Sequence, residues 1–258
     1  MKGRRKRGGE FLTSNPKGGP SGPITKPSAT QQEEPRGGFY VRERKGEAQR
    51  LGYVARSAFK LLQIQNQYKL IKSGSSVLDL GCAPGAWLQV ACQSLSPLKN
   101  GSSVEGIDLK KVKVPSTHCD ARVQTVSADV MKLPKHQITE LSPLQKGFSV
   151  ILSDMCPLVS GITTKDAALS FELGVRALDL AVGSAAILPD DDSREGQPDH
   201  STSCSDNAGV LKAGGHLVVK LLESEDIQEF GRICKPQFRK ASWLRPKATR
   251  SSSRSVKV

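Results

Sequence analysis

A helical apolar period begins at Val54, with Ala55, Ala58, Phe59, Leu62, Ile64 and Leu70 tracing one stripe and Arg56 and Lys60 left on its polar side. Five short apolar runs follow, at residues 77–80, 104–107, 123–126, 148–152 and 216–222, and helical patterns separate most of them. Strands alternating with helices at this spacing predict βαβ units, hence an α/β fold with an open, doubly wound, mostly parallel sheet covered by helices on both faces. Ligands of such sheets lie beyond the carboxyl ends of the strands. Two stretches break the rhythm. Residues 1–38 are rich in Gly, Pro, Ser, Lys and Arg with almost no apolar periodicity, which predicts a disordered basic extension ahead of one domain over 39–258. Residues from about 188 to 208 hold Asp190, Asp191 and Asp192 among Ser, Gly and Pro, and predict a solvated acidic loop inserted between a helix and the last long strand.

Charge sharpens the division. Of a net +13 over 258 residues, residues 1–50 contribute +7 and residues 240–258 contribute +6, so the span between them is neutral. A neutral core with basic ends fits a polyanion held by its phosphates, although basic tails also serve solubility alone. The run Lys2-Gly3-Arg4-Arg5-Lys6-Arg7 is equally compatible with a nuclear address, an organellar presequence or a phosphate-binding arm. Six cysteines stand singly, without Cys-x-x-Cys pairs or a His at zinc-ligand spacing, so free thiols in a reducing compartment and no metal are expected. No stretch reaches the ~20 apolar residues that span a bilayer, and no membrane partner is expected.

The chemistry concentrates after the first strand. Residues 76–87 run from an apolar strand through Asp79, Gly81 and Gly85 into a helix opened by Trp87. A glycine bend of this kind lets the backbone pass close to a ligand, or it makes a tight connection and nothing more. Asp79, Asp108 and Asp154 each close a strand and Asp129 follows the third, which places four carboxylates at one crevice, one of them, Asp79, being suited to capping a helix. Asp108 lies 23 residues beyond Gly85, near the spacing of an acid that accepts from a ribose diol, and Asp129 is placed to receive an adenine amino group. Trp87 suits either the ligand wall or the core. The bend lacks the glycine pattern of pyrophosphate binding and the Gly-Lys-Ser/Thr of triphosphate binding, so a phosphate-free adenosine donor such as S-adenosylmethionine fits it best. Lys220 follows the apolar residues of Gly215-His216-Leu217-Val218-Val219 at the same edge as Asp154, with Lys60 on the first helix. A buried lysine beside a second cation yields its proton more readily, as a general base for a hydroxyl must.

Arg56-Ser57-Ala58-Phe59-Lys60-Leu61, the segment from Leu78 to Trp87, Ser153-Asp154-Met155-Cys156-Pro157, Ser160-Gly161 and the segment from Gly214 to Lys220 resemble, in order and spacing, the FtsJ-like (RrmJ-type) ribosomal RNA 2′-O-ribose methyltransferases. The resemblance, from about Tyr53 to Arg254, implies a Rossmann-like fold that uses S-adenosylmethionine to methylate a ribose 2′-hydroxyl of large-subunit ribosomal RNA, with a uridine as target. It assigns cofactor contacts to Gly85, Trp87, Asp108, Asp129 and Asp154, to which the strand end and the bend add Asp79 and Gly81 as candidates. The family's Lys-Asp-Lys-Glu tetrad maps to Lys60, Asp154 and Lys220, with Lys220 as proton acceptor. The Glu has no counterpart, because Ser255 stands in its place, and a shortened last strand with an unpaired edge beside Lys220 is expected. A monomer acting on ribosomal RNA or the pre-ribosomal large subunit, in the mitochondrion, is the leading expectation. The alternatives are a transfer RNA or mRNA-cap 2′-O-methyltransferase and a catalytically weak RNA-binding assembly protein.

Overall fold

A computed structural model describes residues 46–95, 101–184 and 208–247 and the backbone of 255–257. The expected extension over 1–38 and all but Ala208 of the acidic loop over 188–208 lie outside these residues. The described residues fall within one unit, Gly37–Val258.

Helix α1 (Ala58–Tyr68) leads into strand β1 (Ser76–Leu80), helix α2 (Ala86–Ser94) and strands β2 (Ser103–Asp108) and β3 (Val123–Ser127). Helix α3 (Lys135–Glu140), strand β4 (Phe148–Ser153), helix α4 (Thr163–Val182), strand β5 (Leu211–Leu222), helix α5 (Ile227–Cys234) and strand β6 (Ser255–Lys257) complete the order. The sheet runs β3-β2-β1-β4-β5-β6, with β1 to β5 parallel and β6 antiparallel. All five residues of β1 are buried, as a central parallel strand covered on both faces requires. Period-2 alternation then divides the core. Val77 and Leu152 join Leu61, Trp87 and Leu88 on one face, while Leu78, Leu80 and Ile151 join Ile138, Leu178 and Phe230 on the other.

From β1 the chain steps to β2 and β3 on one side, and β4 returns to the opposite side of β1. The boundary between β1 and β4 is therefore the topological switch point, where a crevice opens at the carboxyl ends. Gly81 leaves β1 and Asp154 leaves β4 at that boundary, joined by a bond from the Asp154 N–H to the Leu80 carbonyl, 3.2 Å.

The structure corrects three expectations. The helix that carries Lys60 begins at Ala58, and Leu61, not Leu62, shares its buried face with Ala58 and Ile64. Strand β5 starts at Leu211 rather than at residue 216. Leu211 pairs with Phe148, and the register then jumps to His216 opposite Val150, across a bulge at Gly214 and Gly215 that the apolar pattern does not reveal. The edge beside Lys220 is paired: Lys257 lies opposite Lys220, Val256 opposite Leu221 and Ser255 opposite Leu222.

Candidate active site

The bend after β1 is shaped by its own neighbours. Gly81 has φ +75°, and a Cβ there would stand 2.8 Å from Met155 Cγ and 3.0 Å from the Met155 backbone. Gly85 has φ +104°, and its Cβ would meet Pro115 Cγ at 2.8 Å. Left-handed backbone and these protein contacts already require glycine at both positions. Gly85 is itself the N-cap of α2, without a side-chain cap, so Asp79 does not cap it. Asp79 lies inside β1 between Gly106 and Leu152, wholly buried, and does not open into the crevice. Trp87 is also core: its ring is 2 % exposed and its indole N–H donates to the Ser57 carbonyl at 2.9 Å, fastening the lead of α1 to the bend.

The other acids stand at the edge. Asp108 ends β2, where Oδ2 accepts the Ala83 N–H and Oδ1 the Lys110 N–H, both at 2.9 Å. The carboxylate is thus clamped against the bend. Asp129 lies two residues beyond β3 and orders its own turn, Oδ1 accepting the Met131 N–H at 3.0 Å and its carbonyl accepting from Lys132 and Leu133.

A clamp that sequence inspection missed holds this turn from behind. Arg176 on α4 donates through Nε to the Val130 carbonyl (3.0 Å) and through Nη2 to the Leu133 carbonyl (2.7 Å), while Nη1 bonds Asp179 at 2.6 Å. Lys135 and Ser184 also donate to Asp179, at 2.8 and 2.6 Å. Burial pushes the Asp179 carboxyl up, but these bonds and charges outweigh it and leave it below its ordinary value. The available signal was a charged pair three residues apart in the mostly apolar second half of the helix.

Lys60, Asp154 and Lys220 converge. Lys220, 8 % exposed, donates to the Asp154 backbone carbonyl and sits 3.2 Å from Asp154 Oδ1. Lys60 is half-buried, and its ammonium is pushed below its ordinary range, first by burial and then by the nearby charges of Lys220 and Arg56, against the pull of Asp154. Cys156, two residues beyond Asp154, is exposed. The arrangement can hold a hydroxyl, take its proton and screen the resulting negative charge. Two cavities lie elsewhere: one of about 810 Å³ runs along β5 between Tyr68, Lys212 and Phe238, and one of about 320 Å³ lies beside Gln89 and Pro115.

Comparison with known proteins adds an independent line. Residues 53–257 match the FtsJ-like methyltransferase family. Among curated relatives, the ribosomal RNA large subunit methyltransferase E of Desulfosudis oleivorans is 34 % identical over 207 residues, covering 80 % of this chain and 83 % of that protein. The protein of the same name from Archaeoglobus fulgidus is 34 % identical over 211 residues, covering 81 % and 89 %. A crystal structure of a ribosomal RNA methyltransferase from Plasmodium falciparum superposes with a TM-score of 0.57 at 20 % identity, over 80 % of this chain and 95 % of that one, a likeness of fold.

Proposed function

The chain belongs to the FtsJ-like methyltransferase family, and we propose that it transfers a methyl group from S-adenosylmethionine to a ribose 2′-hydroxyl of large-subunit ribosomal RNA, at a uridine. The observation that carries this reading is the Lys220–Asp154 pair, with Lys60 beside it, at the switch point of the sheet. The relatives' shared name and the basic ends of the chain support ribosomal RNA as the substrate.

The donor set fits the cofactor. Asp108, oriented by two backbone N–H groups, has lone pairs left for a ribose diol, and Asp129 has an oxygen for an exocyclic amine. Both stand beside a bend without phosphate ligands. When bound, the cofactor supplies an electrophilic methyl on a sulfonium.

The chain's own residues do the rest. Asp154 fixes Lys220 Nζ in two directions, one toward its carbonyl and one toward Oδ1. In the neutral amine those two directions are taken by N–H bonds, so the lone pair occupies a remaining tetrahedral position and meets the substrate hydroxyl there. Lys220 accepts the proton as the oxygen becomes nucleophilic, Asp154 then pairs with the ammonium formed, and Lys60 screens the charge developing on the oxygen or on the adjacent phosphate.

Methyl-transfer assays with tritiated cofactor on large-subunit RNA, transfer RNA and capped RNA test this. Lys220→Ala is expected to lower kcat by about 10²- to 10⁴-fold with cofactor affinity retained, and Lys220→Arg to be as inactive because a guanidinium does not release its proton. Undiminished turnover in Lys220→Ala refutes the assignment, and methylation of transfer RNA or cap alone moves the substrate.

A further inference from the structure

Nine large apolar side chains stand exposed among the described residues, and four of them cluster within twelve positions just after Asp154: Leu158 (94 % exposed), Val159 (70 %), Ile162 (59 %) and Leu169 (37 %). Single exposed aliphatics are ordinary, but a cluster marks a contact surface.

The loop that carries them is held in place. Asp166, itself buried in the first turn of α4, accepts the Ser160 N–H at 2.8 Å, the Ser160 hydroxyl at 2.7 Å and the Gly161 N–H at 3.2 Å. Ser160 Oγ in turn accepts the Ile162 N–H at 3.2 Å. A carboxylate with three donors on one turn makes a firm latch, and here the latch fixes a turn whose large side chains face water. Ile162, the N-cap of α4, and Leu169, in its second turn, carry exposed apolar side chains from the loop onto the helix.

Its position says what it meets. The loop begins at Cys156, two residues after the Asp154 that holds Lys220. Exposed Lys165 stands between Ile162 and Leu169 in the first turn of α4. Four aliphatic side chains flanked by cations offer a few hundred Å² at most, well below the ~800 Å² per partner of a standard protein interface. That area matches one flat, apolar-faced group attached to a phosphate chain. A nucleotide whose 2′-hydroxyl enters the crevice brings its base to the rim, and recognised RNA bases are commonly unstacked and laid on side chains.

We propose that Leu158 and Val159, backed by Ile162 and Leu169, form an apolar lip on which the unpaired base of the target nucleotide lies while its ribose reaches Lys220. This rests on the proposed RNA methylation. An aliphatic surface has no hydrogen-bond code, so the lip holds the base without identifying it.

The double variant Leu158→Asn/Val159→Asn leaves the Ser160–Asp166 latch and the lysine pair in place. It is expected to raise KM for large-subunit RNA by about tenfold, the effect of one base no longer held, with kcat and cofactor affinity within twofold of wild type, and Leu158→Met/Val159→Ile is expected to restore KM. An unchanged KM in an enzyme whose wild type methylates RNA refutes the lip alone; a wild type inactive on every RNA refutes the underlying reaction. A benzophenone amino acid placed at Val159 and irradiated with large-subunit precursor particles reads the surface without turnover. An adduct on an RNA base supports the lip, and an adduct on a ribosomal protein, or none, overturns it.

Discussion

At the scale of single residues, the site is built from groups that the fold holds against their own preference. Lys60 is the clearest: its folded-state pKa lies below the unfolded value of 10.5, chiefly through burial. The unfolded chain then binds more protons than the native one between the two values, so stability rises with pH through that window and the penalty of charging is fully present below it. Lys60→Met is therefore expected to melt above wild type at pH 7, with the gap closing as pH approaches 10.5, while methyl transfer falls; calorimetry and a turnover assay on the same samples check both. Gly81 is constrained differently. Gly81→Ala places a Cβ against the Met155 backbone in a left-handed conformation, an expected loss of about 1–3 kcal/mol in urea unfolding, and it pushes on the residue next to Asp154.

At the scale of elements, β2 and α4 carry consequences that no single site residue shows. Glu105, in the middle of β2 and 6 % exposed, has its carboxyl pushed by burial from 4.5 to about 7. Between those values the native state keeps a proton that the unfolded chain has released, so stability falls as pH rises through the window. Wild type is expected to lose up to about 3 kcal/mol between about pH 4.5 and 8 relative to Glu105→Gln, read from paired denaturant titrations. On α4, Arg176 clamps the carbonyls that follow Asp129 with a planar fork that lysine does not reproduce. Arg176→Lys is expected to weaken cofactor binding about tenfold, equivalent to about 1.4 kcal/mol, with little change in kcat at saturation, by titration calorimetry and steady-state kinetics.

At the scale of the whole molecule, charge is segregated along the chain: +7 in residues 1–50, +6 in residues 240–258 and a neutral span between. Affinity for RNA is expected to fall steeply with salt, and replacing the six basic residues of 240–258 by Gln to flatten the slope of log K against log salt by about 0.7–0.9 for each phosphate no longer neutralised. Filter binding from about 50 to 300 mM salt measures this; an unchanged slope removes the C-terminal segment from the RNA path. Turnover on a saturating minimal substrate is expected to change less than affinity, since Lys60, Asp154 and Lys220 lie outside that segment.

The strands, their parallel order and the edge positions of Asp108, Asp129, Asp154 and Lys220 were legible in the chain itself, because apolar period and strand ends are local properties and the sheet's connectivity follows from alternation. What each residue does there was not. Asp79 closes the same kind of run as Asp154, yet it pairs with Leu152 inside the sheet, two positions short of Asp154, and is sealed between strands while Asp154 stands past the end of β4. Gly81 and Gly85 are also constrained by Met155 and Pro115, distant in sequence, which no local pattern shows. The Lys60–Asp154–Lys220 cluster and the Arg176 clamp join segments many tens of residues apart, and only the packed sheet, by deciding which strand ends are neighbours, brings them within a hydrogen bond or the reach of a charge.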